Sequence, residues 1–412
     1  MRLFWLLLLM PAAALAFVVR PWPLPVPANS AQPHLSTTPG GDLLLSWIER
    51  QDSGGHRLSM ARLGPSGQWQ QTRQVAAGRH WFVNWADVPA VQALPDGSLW
   101  AHTLEKRSDA PYAYDVMLRR SGDGGRHWSP PTIAHDDGSA SEHGFVTLLP
   151  WSKTELAVAW LDGRNTISPD TAGNSHGNGH EGEHGGGMMG LRAAVFDGRM
   201  KKRFEWQLDA STCDCCQTDS ALSAQGPLLV YRDRSKDEIR DIFLTRFDGK
   251  HWTPPVRVHA DDWKMPACPV NGPAVAARGN HAWVAWYTAA GGTPSVRIAH
   301  SADAGRQFAP MRQVASGDVQ GRVDLASDAS GVWLLWMSET AGRQSLWLAR
   351  YRADLGIELE RGKITDIAGS GRATGFPRLQ LRNGVAHVVW TEIVGGKPGL
   401  RGVTARPRAE SR

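Results

Sequence analysis

Cysteine is scarce in this chain, with four in 412 residues, and tyrosine is nearly as rare at five. So few thiols exclude a small scaffold framed by disulfides. Runs of Lys and Arg interleaved with aromatics are missing. The 45 basic residues are scattered among 40 acidic ones, so the net charge of +5 describes a soluble surface and not a nucleic-acid groove. Beyond the first residues no apolar run is long enough to cross a bilayer. Phosphate loops, dinucleotide fingerprints and nucleophile elbows are absent too. What is plentiful is Gly (44), Pro (26) and Trp (19), the punctuation and packing residues of a large all-β domain.

The chain opens on "MRLFWLLLLMPAAALAFVV", where Arg2, a short apolar core and Ala14-Leu15-Ala16 form a secretory signal over 1–16. An uncleaved anchor is the alternative. No Cys follows the apolar run, which speaks against a lipoprotein. Residues 17–412 are therefore expected to form one exported domain, periplasmic or secreted, in a compartment that permits disulfides.

From there the sequence repeats. Apolar runs such as "LLLSWIER", "LAVAWLDGR", "AWVAWYTAA", "VWLLWMSET" and "AHVVWTEIV" recur. Their aligned ends are Trp47, Leu104, Trp160, Tyr231, Trp286, Trp336 and Trp390, roughly 50 to 57 residues apart. One longer gap follows from an insertion at 165–190. That period predicts a propeller of four-stranded antiparallel blades, seven by count, beginning near residues 32, 85, 145, 219, 272, 321 and 375. The seventh unit lacks a last strand, which residues just after the signal are expected to supply.

A turn recurs in phase with the strands: "SGDGGRHW" (121–128) and "SADAGRQF" (301–308). Asp123 and Asp303 can accept the turn's own amides, Gly125 and Gly305 suit positive φ, and Trp128 and Phe308 can pack between sheets. This pattern resembles the Asp box of sialidase-type β-propellers, with six blades as the alternative count that the resemblance implies. In that family these turns are structural and lie far from the active centre. The segments "CDCCQT", "YRDR…EIRD" and "CPVNGP" are similar to those of exported bacterial sialidase-like propellers, which implies that the three belong together.

Strand parity then sorts the loops. In a four-stranded blade the second-to-third loop and the crossover to the next blade open on one face. Both cysteine segments are crossovers: "TCDCCQ" holds Cys213, Cys215 and Cys216, and "KMPACPVNGP" holds Cys268. The His/Met/Gly-rich insertion, with His176, His180, His184, Met188 and Met189, is a second-to-third loop, as is "DRSKDEIRD". The crossover "HDDGSASEHG" joins the same face. Two readings of the cysteines stand: disulfides that tie Cys268 to one of the other three, or a thiolate site for copper or zinc. Imidazole and thioether groups on a flexible backbone suit a soft-metal collector, and a solvated low-complexity loop is the alternative. Trp81, Asn84 and Trp85 add a surface for packing or for stacking on a sugar.

The resemblance also implies what a sialidase would need: arginines on a substrate carboxylate, a Tyr nucleophile assisted by Glu, and an Asp acid/base. Arg164, Arg232, Arg234 and Arg240 are the candidates for the carboxylate, with ion pairing inside the loops as their alternative role. Tyr231 and Tyr287 are the candidate nucleophiles. The family's first-blade Arg-Ile-Pro motif is broken here, since Arg20 directly precedes Pro21. Three functions follow as expectations: binding of a soft metal, copper foremost, on one loop face; a sialidase-like glycoside hydrolase or lyase acting on an acidic carbohydrate; or a disulfide-locked scaffold for an envelope protein.

Overall fold

The computed structural model describes residues 17–110, 112–166 and 187–408. The signal segment and His176, His180 and His184 lie outside these residues. Seven four-stranded antiparallel sheets form the chain, one per repeat. Their innermost strands are Ser30–Thr37, Val91–Ala93, His143–Pro150, Asp219–Ser223, Ala274–Arg278, Val319–Asp328 and Arg378–Arg382. The blade count is seven, not six. Blade two starts later than residue 85, because residues 79–90 serve as a crossover that touches the blade through a bridge between Trp81 and Glu105.

The last blade closes the ring as the incomplete repeat requires. Val18–Pro21 pairs antiparallel with Lys397–Arg406 as its outermost strand. Arg20 thereby sits exposed on the rim, away from the loop face's centre. Among the described residues no helix is long and apolar enough to cross a membrane.

The repeat aromatics do the packing. Trp47, Leu104, Trp160, Tyr231, Trp286, Trp336 and Trp390 are all buried between sheets. Truncating one such side chain to Ala costs about 3–5 kcal/mol, so the period seen in sequence is the period of the core. At the turns, Asp123 Oδ1 accepts the amides of Arg126 and His127 at 3.0 Å each, and Asp303 Oδ1 accepts those of Arg306 and Gln307 at 3.0 Å. Gly125 and Gly305 take φ of 84° and 82°, and Trp128 and Phe308 pack against the neighbouring cores.

Neighbouring blades are tied along the axis by carboxyls. Asp87, Asp219 and Asp324 each accept one amide of the next blade's inner strand, from Phe145 (2.7 Å), Val275 (2.8 Å) and Leu379 (2.7 Å). Together they line an axial cavity of about 150 Å³. Burial raises Asp87 and Asp219 to about 7 and Asp324 to about 6.

Candidate metal centre

Four loops converge on one rim as strand parity requires: the described ends 163–166 and 187–189 of one, and 210–218, 233–241 and 258–273. Backbone bonds stitch them together. Thr212 N donates to Met189 O (2.8 Å), Cys213 N to Arg232 O (3.0 Å), Arg240 N to Trp263 O (2.9 Å) and Met265 N to Glu238 O (2.9 Å). Gly272 N adds a bond to Gln217 Oε1 at 3.0 Å.

Inside this weave the cysteines meet. Cys213 and Cys216 are buried with their sulfurs 3.2 Å apart, and Cys215 Sγ is 3.9 Å from Cys213 Sγ. All three sulfurs lie within 4.8 Å of one another. Cys268 is exposed and stands outside this group of three; after Cys213 and Cys216 it is the third neighbour that raises the Cys215 thiol. The four stand as free thiols, with no disulfide among them.

Two guanidiniums back the sulfurs. Arg240 Nη1 donates to Cys213 Sγ at 3.2 Å, while its Nη2 holds Glu238 at 2.9 Å. Burial alone would raise the Cys213 thiol. The neighbouring thiols, Arg240 and Arg232 outweigh it and hold Cys213 well below the ordinary thiol range. Cys216 is pushed up, by burial first and then by Cys213.

The arginines proposed for a sugar carboxylate, and Tyr231 of the two candidate nucleophiles, hold internal partners. Arg232 is fully buried and spends its guanidinium on carbonyls: Arg240 O (2.6 Å), Asn271 O (2.8 Å) and Tyr287 O (2.7 Å), while stacking 5.0 Å over Trp263. Arg234 grips Glu238 (2.7 Å) and Asp214 (3.0 Å). Arg164 is held by Asp162 at 2.7 Å and lies 3.5 Å from Glu205. Tyr231 is buried and donates its hydroxyl to Asp209 at 2.5 Å, so burial and that carboxylate drive its phenol far up. Tyr287 is half-buried, edge-on to Trp263 at 5.8 Å, with burial raising its phenol.

The remaining candidates pack. Met189 is fully buried among Phe145, Leu161 and Leu191, whereas Met188 is half-buried. Asn84 Oδ1 caps its own crossover by accepting the amides of Ala86 and Asp87, both at 2.7 Å. Trp85 stacks on Phe376 and faces the buried Arg322 guanidinium at 5.0 Å. Trp81 is buried in the blade-one core.

A second polar cluster went unrecognised in the sequence. His135 and His143, both fully enclosed, stack face to face at 3.6 Å with 4° between rings. His135 Nδ1 meets Asp137 at 2.7 Å, and its Nε2 lies 3.4 Å from Asp115. His143 Nε2 lies 3.2 Å from Asp137 and 3.9 Å from Asp162. Arg164 Nη2 reaches Asp162 at 2.8 Å and Asp137 at 3.6 Å, so a guanidinium already stands against two of these carboxylates. Beside it, the Tyr114 hydroxyl donates to Glu142 at 2.6 Å, and burial raises Glu142 to about 8. The two histidines at the ends of "HDDGSASEHG" were the available signal, but their partners Asp115 and Asp162 come from other strands.

Comparison with solved structures agrees with the architecture. The phage phi92 endosialidase is similar over 97% of this chain and 70% of its own, at 9% identity and a TM-score of 0.51. A protein of unknown function from Dyadobacter fermentans matches 92% of this chain and 95% of its own, at 15% identity and a TM-score of 0.49. The NanB sialidase of Streptococcus pneumoniae, as its K499G mutant, matches 97% and 71% at 11% identity and a TM-score of 0.45. No protein-family profile and no curated protein sequence matches the chain. The class that the sheets define is a seven-bladed β-propeller, similar in fold to the endosialidase. At these identities the likeness concerns fold alone.

Proposed function

We propose that this propeller binds a soft metal ion on its loop face, copper before zinc, through Cys213, Cys215 and Cys216. The observation that carries the reading is the convergence of three sulfur atoms within 4.8 Å. Thiolates select copper(I), which is content with few soft ligands, whereas zinc wants a closed tetrahedral set and would need Cys268 as well. Several thiolates around one ion leave surplus negative charge, which Arg240 and Arg232 face from behind. Such hydrogen-bonding partners behind a ligand tune a metal site. His176, His180, His184 and Met188 fit a recruiting role on the neighbouring loop. Export, which the signal-like residues 1–16 support, would place the site where copper must be handled outside the cytoplasm.

A hydrolase or lyase acting on an acidic sugar is supported less, because Arg164, Arg232, Arg234 and Arg240 are all committed to internal partners. The test is metal analysis of full-length protein purified anaerobically, with thiol titration alongside and a fluorogenic sialoside as control. A retained copper or zinc ion with metal-masked thiols is expected. Oxidised cysteines without metal would instead favour a disulfide-locked scaffold for an envelope partner. Sialoside turnover abolished by Arg234→Ala would favour the carbohydrate reading.

A further inference from the structure

We propose that Cys268 is the docking thiol through which copper(I) reaches the buried sulfurs, by ligand exchange from a donor that presents the ion on thiolate or thioether groups. This rests on the metal-binding reading above and names how that site is filled. The four thiols form a staircase of burial. Cys268 is exposed, Cys215 is half-buried, and Cys216 and Cys213 are closed off at 2% and 0% exposure. Cys215, intermediate in exposure between Cys268 and the inner pair, lies 3.9 Å from Cys213 and is the link between them. A thiol meant only to complete the inner set would gain from burial with the rest. This one is held out.

The loop that holds it out is anchored at both ends. Lys264 bridges to Ile239, and Met265 N donates to Glu238 O at 2.9 Å. On the other side, Asn271 O receives Arg232, and Asn271 Oδ1 accepts the amide of Arg322 at 2.8 Å. Pro266 and Pro269 stiffen the segment between, each fixing its own φ. Val270 takes a φ of 46°, a position that a β-branched residue occupies only when its surroundings force it. The chain thus accepts strain to project Cys268 from a fixed base.

The exchange balances without redox chemistry, since copper stays in its +1 state throughout. Cys268 gives up its proton to solvent as its sulfur bonds the ion, and one donor atom leaves; a departing thiolate takes up a proton and a neutral donor needs none. Cys215 repeats the exchange one step deeper. Cys213, whose sulfur Arg240 Nη1 meets at 3.2 Å, gives up its proton as it bonds the ion and displaces Cys268, which takes up that proton and is free for the next encounter.

Stopped-flow transfer of copper(I) from its bathocuproine disulfonate complex tests this with full-length wild type, Cys268→Ser and Cys213→Ser. Cys268→Ser is expected to bind the same amount of copper at equilibrium but to load about tenfold more slowly, a barrier change of about 1.4 kcal/mol. Cys213→Ser is expected to lose affinity. Loading of Cys268→Ser at the wild-type rate would overturn the proposal and leave the metal site standing. Loss of equilibrium affinity as deep as that of Cys213→Ser would overturn it too, making Cys268 an inner ligand. Wild type that takes no copper would defeat the metal reading itself, a distinguishable outcome.

Discussion

The sulfur cluster between blades three and five and the imidazole–carboxylate cluster between blades two and three share one face. Both are buried, and both assemble from crossover loops, yet they balance charge in opposite ways. Around the stacked imidazoles, the carboxylates Asp115, Asp137 and Asp162 already meet two guanidiniums, Arg107 and Arg164. Around Cys213 the order is reversed. Arg240, shared with Glu238, and the buried Arg232 face three close sulfurs, and among the described residues no carboxylate takes the sulfurs' place. Ligand types at close quarters do not by themselves make a metal site; what matters is whether the protein has already supplied the counter-charge.

The difference can be broken apart by substitution. The largest effect is expected from Arg232→Met, which strips three buried carbonyls of their donor and should cost about 3–5 kcal/mol of stability in denaturant unfolding. Cys213→Ser should weaken copper binding by more than about a hundredfold in chelator competition, beyond what loss of a ligand's hydrogen-bonding partner brings. Arg240→Gln removes such a partner and should weaken binding by about 10–100-fold. At the imidazole cluster, His143→Gln should leave metal content unchanged by elemental analysis while lowering stability by about 1–3 kcal/mol.

Acid separates the two clusters further. His135 is pushed below 6.5, by burial first and then by the His143 ring stacked on it. In the unfolded chain it takes up a proton near pH 6.5, so the folded state binds fewer protons below that value. The stability tied to this neutral ring is complete above about pH 6.5 and is lost as pH falls toward its folded value. Lowering pH from about 7 to 5 should therefore destabilise wild type more than His135→Gln, read as the shift in melting temperature. A variant that tracks wild type across that range would remove the closed-cluster account of the imidazoles.

Much of this was legible in the chain. The aromatic period gave blade number and order because each repeat must bury one strand end against its neighbour, and Val18–Pro21 closes the ring because the seventh unit is one strand short. Loop placement followed from counting strand reversals, so the crossovers that carry Cys213 to Cys216 and Cys268 could be set on one face from the sequence, whereas only Cys213, Cys215 and Cys216 bring their sulfurs within 4.8 Å. The fate of the charges was not. Arg232 looks like an anion binder in sequence but is consumed by carbonyls of residues 240, 271 and 287, which reach it only through the fold. The Tyr114–Glu142 pair and the His135–His143 stack join residues from different strands, and no local spacing announces them.

Anaerobic metal analysis with parallel thiol titration, on wild type and Cys213→Ser, probes the sulfur centre most directly. The account predicts copper or zinc bound by wild type, thiols that react only after a chelator removes the ion, and loss of both features in Cys213→Ser. Freely reactive or fully oxidised cysteines in wild type, with no ion retained, would contradict it.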